Sequence, residues 1–429
     1  MRGGIATMAF FHEWSNQLKS YNRNIKLALL ANIFANIGLG IFMVIYNFYI
    51  RELGYSESVN GQVIAMTSLA TALALVPAGI LSDKLGRKKV MVFGIVTSCI
   101  ILFTRSIVES QDLLIATGFA TGLTVAFLQV SSIPWLSENS SASQRVHLFS
   151  LHSAIMTAST VIGSTLGGIL TDLFSLFTTE LQSIRIVLLT GSVFYLLAFF
   201  PIVKLKERKK QKVLPDTKKA SFLNLKENKG SIKIIVLFAI AQLIIGVGAG
   251  LVIPYLNLYF ADRFHASTTI IGMIISLGQA VTAVAMFIGP MVVRKVGEVK
   301  AVVYLQMLSL PFLLLTAYTQ NLWLAAIGFL FRQALMNAGN PIQMSLMMSK
   351  VDDSVKGLAN SVNQMVFNLG WALMGPVSTG IVIQYGSYWG YATVFTITAI
   401  LYFIGSLYFY IVFRTYNKQK LESTIAKTS

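Results

Sequence analysis

Charge is the scarcest commodity in this sequence. Lys, Arg, Asp and Glu make up 12% of 429 residues, against about 25% in a soluble domain, which excludes an ordinary water-soluble globule. The shortage of acid is the sharper one: all 17 Asp and Glu fall in tails, loops or the ends of apolar runs. A single cysteine, Cys99, rules out an intrachain disulfide. No G-x-x-x-x-G-K-[ST] stretch occurs, so the sequence offers no sign of its own ATPase. The alternating strand pattern of a membrane barrel is missing as well. The first 24 residues hold no apolar run with a small-residue cleavage site, so no removable signal peptide is expected.

What the chain does have is long apolar runs, with a mean hydropathy of +0.68. Twelve segments, at 26–51, 57–82, 88–107, 110–137, 144–172, 184–204, 232–261, 268–293, 299–319, 321–349, 355–383 and 389–413, each meet the requirement of about 20 residues for crossing the hydrocarbon. The expected fold class is an all-α polytopic membrane protein. Residues 1–25 form an N-terminal tail, 26–204 one six-helix bundle, 205–231 a basic linker, 232–413 a second six-helix bundle and 414–429 a C-terminal tail.

The net charge of +17 invites a nucleic-acid reading, but its placement argues otherwise. Of the 34 Lys and Arg, 29 fall on the side of both termini; only Arg51, Arg105, Arg185 and Arg263 fall on the other side, and Arg332 lies between. A bias of that size predicts cytoplasmic termini in a plasma-membrane protein, with the basic face against anionic lipid headgroups. No nucleic acid, metal or cofactor is expected, and the chain is read as a monomer that is not an enzyme.

The two bundles repeat. Slid by about 211 residues, GQVIAMTSLATALALVPAGILSDKLG (61–86) lies over GMIISLGQAVTAVAMFIGPMVVRKVG (272–297) without a gap. Asn47-Phe48-Tyr49 meets Asn257-Leu258-Tyr259, and Asn32 meets Gln242. Two similar bundles read as a transporter, because a site at their interface can be opened to either side by rocking.

After the second segment comes GILSDKLGRKK, residues 79–89. It resembles the loop 2–3 motif of the major facilitator superfamily, G-x-L-x-D-x-x-G-R-K/R, with Gly79, Leu81, Asp83, Gly86, Arg87 and Lys88 falling on it. Gly79 would permit close helix approach and Gly86 a tight turn. The resemblance implies that Gly79, Asp83, Gly86, Arg87 and Lys88 form a conformational latch on the cytoplasmic side. The second copy departs from the pattern, with Arg294 in place of Asp83 and Glu298 in place of Arg87, so one strong latch is expected. STVIGSTLGG (159–168) resembles the glycine-rich stretch of drug-exporting members. There Gly163, Gly167 and Gly168 match, and with Gly375 and Pro376 in the second half they are expected to shape helix packing.

The tenth segment carries Arg332 within FLFRQALMNAGNP, about eleven residues in, or ~16 Å into a core of ~30 Å. A guanidinium facing lipid there would cost at least about 2.5–3.5 kcal/mol, so it must face the protein or a water-filled cavity. In the resembled fold, segments one, four, seven and ten line the central cavity. Arg332, Asn340 and Gln343 form a stripe on segment ten, Asn32 and Asn36 lie on segment one, and Gln242 and Asn257 on segment seven. These seven are the candidate substrate-binding residues. With no mid-membrane carboxylate, the partner of Arg332 is either water, a carbonyl, or a bound anion taken by its bidentate fork. The leading expectation is an alternating-access carrier for a small organic solute, an organic anion favoured. An exporter of amphiphilic drugs or lipids stands beside it, and a non-transporting membrane sensor or assembly partner stands as a reading of another class.

Overall fold

The computed structural model describes residues 21–140, 142–207, 229–351 and 355–428, and among them no strand occurs. The expected N-terminal tail up to residue 20 and most of the basic linker lie outside the described residues. In the first half, α1 (Arg23–Glu52), α2 (Glu57–Leu85), α3 (Arg87–Ile107), α4 (Gln111–Glu138) and α5 (Ala142–Ser175) are followed by α6 (Glu180–Leu197) and its short extension α7 (Phe199–Val203). In the second half, α8 (Lys229–Val252) runs through a 3-10 turn into α9 (Leu256–Phe264), followed by α10 (Thr268–Val296), α11 (Glu298–Tyr318), α12 (Leu322–Ala338), α13 (Asn340–Lys350) and α14 (Lys356–Thr428).

Ten of the described helical stretches are long and apolar enough to cross a bilayer. One of them, Ala359–Arg414, holds two crossings, because the backbone leaves the helix at Gly386 with φ of 75°. Gly390 there packs on Val382, which in an unbroken helix would be ~12 Å away. Helices α12 and α13, separated at Gly339 just before Pro341, together supply another crossing. The twelve expected segments are therefore present. Outward-facing side chains such as Ile100, Leu113, Phe177, Val284, Phe331 and Trp389 are more than half exposed, as befits a surface whose solvent is lipid.

The repeat is visible in the backbone. Gly86 ends α2 at φ of 100°, and Gly297, 211 residues on, ends α10 at φ of 83°; both are left-handed turns that a side chain would strain. The aligned tyrosines make matching bonds: Tyr49 donates to the Val108 carbonyl at 3.0 Å, and Tyr259 donates to the Thr316 carbonyl. Each ties the first helix of its half to the third.

The halves meet along two helix pairs, α2 with α14 and α5 with α10. Small residues set both crossings. A Cβ on Gly375 would fall on the Gly61 carbonyl oxygen, and one on Gly168 would fall on the Thr268 carbonyl. On the other face of α5, Gly163 and Gly167 seat that helix against Ile37 and Ile41 of α1. Pro376 lies inside α14, next to the Gly61 contact.

Gly375→Ala is expected to cost about 1–3 kcal/mol by forcing that crossing apart, lowering the thermal unfolding midpoint in detergent. Gly380→Ala, on the same helix but with open space where its Cβ would stand, should leave the midpoint unchanged or raise it.

Candidate solute-binding cavity

The end of the bundle that carries Lys84, Arg87, Lys88 and Lys89 is here the basic end, and the opposite one the far end. Bonds between the halves concentrate toward the far end. The repeat-related pair Asn47 and Asn257 meet there: Asn47 donates its amide to Asn257 Oδ1 at 3.0 Å and to the Pro254 carbonyl at 2.8 Å, while Asn257 donates to the Val44 carbonyl at 2.8 Å. Above them Arg51 reaches Asp262 at 2.7 Å across the interface and Glu57 of its own half at 2.8 Å. Tyr391 donates to Asp262 Oδ2 at 2.8 Å, and Asn60 donates to Glu57 Oε2 at 3.2 Å. Asp172 at the end of α5 accepts from the Thr268 hydroxyl and the Thr269 amide, a carboxylate set at the positive N-terminus of α10 in the other half. Lower down, Thr165 donates to Ser276 at 2.8 Å.

Toward the basic end the halves separate. One buried cluster joins both halves through Tyr49, Tyr255, Tyr259 and Phe260, whereas the basic end of the second half packs as its own cluster around Phe238, Phe409 and Phe413. Gln129 still reaches Gln364 across the interface, at 3.4 Å. The conformation is closed at the far end.

Under that closure lies a cavity of about 300 Å³, lined from both halves. Its walls are mostly apolar, with Phe42, Met43, Ile64, Ile275 and Trp371 among them, and its polar contributors include Asn47, Asn257, Thr67, Ser68, Thr121 and Arg105. A second cavity of about 160 Å³ lies nearer the basic end, where Gln242, Asn340, Gln343 and Asn363 converge with Phe238, Met344 and Met347.

The predicted residues thus divide. Gln242, Asn340 and Gln343 share the smaller cavity, and Asn257 lines the larger. Asn32 is buried and donates to the Ala28 carbonyl, and Asn36 donates to the Asn32 carbonyl; both lie on α1 and belong to neither cavity. Arg332 also lines neither. It is 3% exposed, donating to the Gln333 side-chain oxygen at 2.8 Å and to the Tyr402 hydroxyl at 2.5 Å inside the second half. The expected stripe of Arg332, Asn340 and Gln343 is cut at Gly339, where α12 ends and α13 begins. The break re-aims the helix beyond it, so Asn340 and Gln343 reach a cavity and Arg332 does not.

Around the expected latch, Gly86 makes the turn, and Arg87 reaches Ser82 at 3.1 Å and Glu138 of α4 at 3.3 Å. Lys88 is half-buried in the first turn of α3. The Asp83 side chain lies outside the described residues. No described atom comes within 4 Å of where a Cβ on Gly79 would stand, so the close approach expected there is not made in this conformation.

The residue that sequence reasoning missed is Arg105. Two positions from the end of α3, it counts as a loop charge in the sequence, yet it is only 8% exposed, lines the larger cavity and lies over the Tyr46 ring at 3.8 Å. A usable signal existed: an arginine on the charge-poor side, embedded in IILFTRSIV.

A twelve-crossing bundle of two repeated halves, with a cavity at their interface, is the architecture of a secondary transporter. The chain belongs to the Major Facilitator Superfamily, whose family model matches residues 28–373 and 238–428. It is 25% identical over 420 residues to the multidrug resistance protein MdtG of Proteus mirabilis (strain HI4320), covering 92% of this chain and 97% of that one. It is also 25% identical over 381 residues to multidrug resistance protein 1 of Bacillus subtilis (strain 168), covering 84% and 90%. Among solved structures, a bacterial homologue of the human lysosomal transporter Spinster, inward-facing and unoccupied, superposes with a TM-score of 0.76 at 14% identity, over 92% of this chain and 97% of that one.

The Arg51–Asp262 pair is partly exposed, with side chains at 30% and 20%, so it is worth at most about 1 kcal/mol. Asp262→Asn is expected to make the far end up to about fivefold more accessible, read as labelling of a cysteine placed at Ser68 by an impermeant thiol reagent. Glu57→Gln, which removes an arginine partner within one half, should have a smaller effect.

Proposed function

We propose that this transporter carries a small organic solute by alternating access, with the larger cavity as the solute site and an organic anion as the favoured cargo. The observation that carries the reading is the cavity itself: both halves line it, and it lies directly beneath the cross-half bonds that close the far end. Breaking those bonds while the basic end closes would turn the cavity to the other side. The distribution of Lys and Arg supports placing the basic end in the cytoplasm, with anionic lipids against it and the plasma membrane as the location. In that orientation the conformation is open inward. The smaller cavity, with Gln242, Asn340 and Gln343, would then lie on the path between the solute site and the cytoplasm.

Export of amphiphilic compounds is the second reading. It is supported by the two relatives named for multidrug resistance and by the apolar walls of the cavity. Both readings share one mechanism and differ in cargo.

The test uses proteoliposomes holding a Cys99→Ser protein with Arg51→Cys and Asp262→Cys added. Labelled 4-phenylbutyrate, uridine and ethidium are offered in turn. At least one should exchange faster than in protein-free vesicles. Linking the two cysteines with a short bis-methanethiosulfonate should abolish that exchange, and reducing the two disulfides so formed should restore it. Flux that ignores the cross-link defeats the alternating-access reading, and no flux with any compound favours a non-transporting protein.

A further inference from the structure

The four arginines on the charge-poor side divide three to one. Arg51 is held by Glu57 and Asp262, and Arg185 is held by Glu109 at 2.5 Å. Arg263 donates to the carbonyls of Thr319, Tyr388 and Ala317. Arg105 has none of this. It is more than nine-tenths buried, its Nε has no hydrogen-bond partner, and among the described residues no carboxylate pairs with it. The face of Tyr46 is its neighbour. A buried cation without a counter-charge is expensive, by several kcal/mol after relaxation, and a stacking contact offsets only about 2 kcal/mol of that.

The rest of the cavity lining sharpens the point. Among the described residues of that lining, Arg105 Nε and Trp371 Nε1 have no partner, and Tyr46 Oη, with Arg105 and Thr117 beside it, has none in good hydrogen-bond geometry; each carries a hydrogen to donate. Apart from the Ser68 hydroxyl, which can donate or accept, the other polar contributors are already committed. Thr67, Thr71 and Thr121 donate to carbonyls on their own helices, and the Asn47 and Asn257 amides donate across the interface. Among the described residues no Asp or Glu lines the cavity. Spare donors, one fixed positive charge and apolar aromatic walls call for an occupant that accepts hydrogen bonds, is negative at one end and is apolar elsewhere.

We propose that Arg105, with Tyr46 and Trp371, is the anion anchor of this cavity, and that its ligand is a small amphiphilic organic monoanion, a carboxylate or sulfonate on an apolar, ring-bearing body. The guanidinium takes the charged head bidentately, while Phe42, Met43 and Ile64 hold the body. A single cation matches a single negative charge; a phosphate dianion would bring a second charge that nothing in the lining balances. The proposal rests on the carrier reading for the identity of the cavity, and it replaces the interior arginine expected from sequence with one from α3.

The test is equilibrium binding to the full chain in detergent, using 4-phenylbutyrate, 4-phenylbutyramide, 4-phenylbutylamine and acetate as probes. In the wild type the carboxylate should bind about tenfold or more tighter than the amide, with acetate and the amine weakest. Arg105→Gln should erase the preference for carboxylate over amide, and Arg105→Lys should keep only part of it. Tyr46→Phe, which retains the ring and therefore the fold, should weaken carboxylate binding by about fivefold. The proposal is overturned if amine or amide binds as well as carboxylate, if the carboxylate fails to bind at millimolar concentration, or if its preference survives Arg105→Gln and falls with Arg332→Gln. Failure of the carrier reading is separable from this: carboxylate bound but never exchanged across vesicles sinks transport and leaves the anchor, whereas exchange of neutral or cationic probes alone does the reverse.

Discussion

A bilayer offers a polar group no water, so each one must find its partner inside the protein, and most of this structure is a consequence of that. It is why the membrane-crossing stretches among the described residues are helical. It is also why hydroxyls and amides on the helices turn back on their own backbone: Thr97 on Phe93, Thr117 on Leu113, Ser132 on Leu128, Asn32 on Ala28 and Asn337 on Gln333. Such i to i−4 bonds need no partner helix. They leave the sliding surfaces between helices free of polar obligations, which a protein whose halves must move against each other can use. Against that background an unpartnered cation stands out. Arg332 is held at both terminal nitrogens by Gln333 and Tyr402, leaving only its Nε without a partner, whereas Arg105 has, among the described residues, only the Tyr46 side chain beside it.

The repeat explains the architecture, and its breaks mark where the proposed selectivity would reside. Turns at Gly86 and Gly297 and the two tyrosine bonds show one blueprint used twice. The two arginines that matter most have no twin. Slid by 211 residues, Arg332 falls on Thr121, which lines the larger cavity, and Arg105 falls on Thr316, whose hydroxyl bonds within its own helix. A symmetric pair of halves is what rocking requires, whereas recognising a polar solute requires asymmetry, and the charged residues supply it.

Much of this was legible in the sequence, because hydropathy and turn chemistry act locally. Segment bounds such as 57–82 and 88–107 were readable because Leu85-Gly86-Arg87 changes both polarity and backbone freedom at one point. The pairing of Asn47 with Asn257 could be read as an alignment, though its meaning as a contact could not. The direction of a side chain around its helix axis was not legible. Successive residues differ by about 100°, so a break such as that at Gly339 is enough to part Arg332 from Asn340 and Gln343. Arg105 was hidden for a related reason. Near the end of a helix, sequence cannot say whether a long cation turns out to the headgroups or inward, and here the inward route runs over the Tyr46 ring.

The contacts that close the far end are of a kind suited to being broken. An amide pair in a membrane protein is worth roughly 0.6 kcal/mol, a partly exposed ion pair up to about 1, and the glycine crossings at Gly61–Gly375 and Gly168–Thr268 hold backbones together by dispersion over small areas. None of these locks the halves alone, and together they set a balance that a ligand can tip. A solute binding both halves of the cavity changes that balance only through a difference in its affinity for the two conformations. Arg105 and Tyr46 lie wholly in the first half while Trp371 and Ile275 lie in the second. An anion gripped by the guanidinium at one end and packed on Trp371 at the other therefore loses part of its binding whenever the halves separate around it. In the proposed mode, the charge that selects the cargo and the interface that moves it are coupled through the length of the ligand.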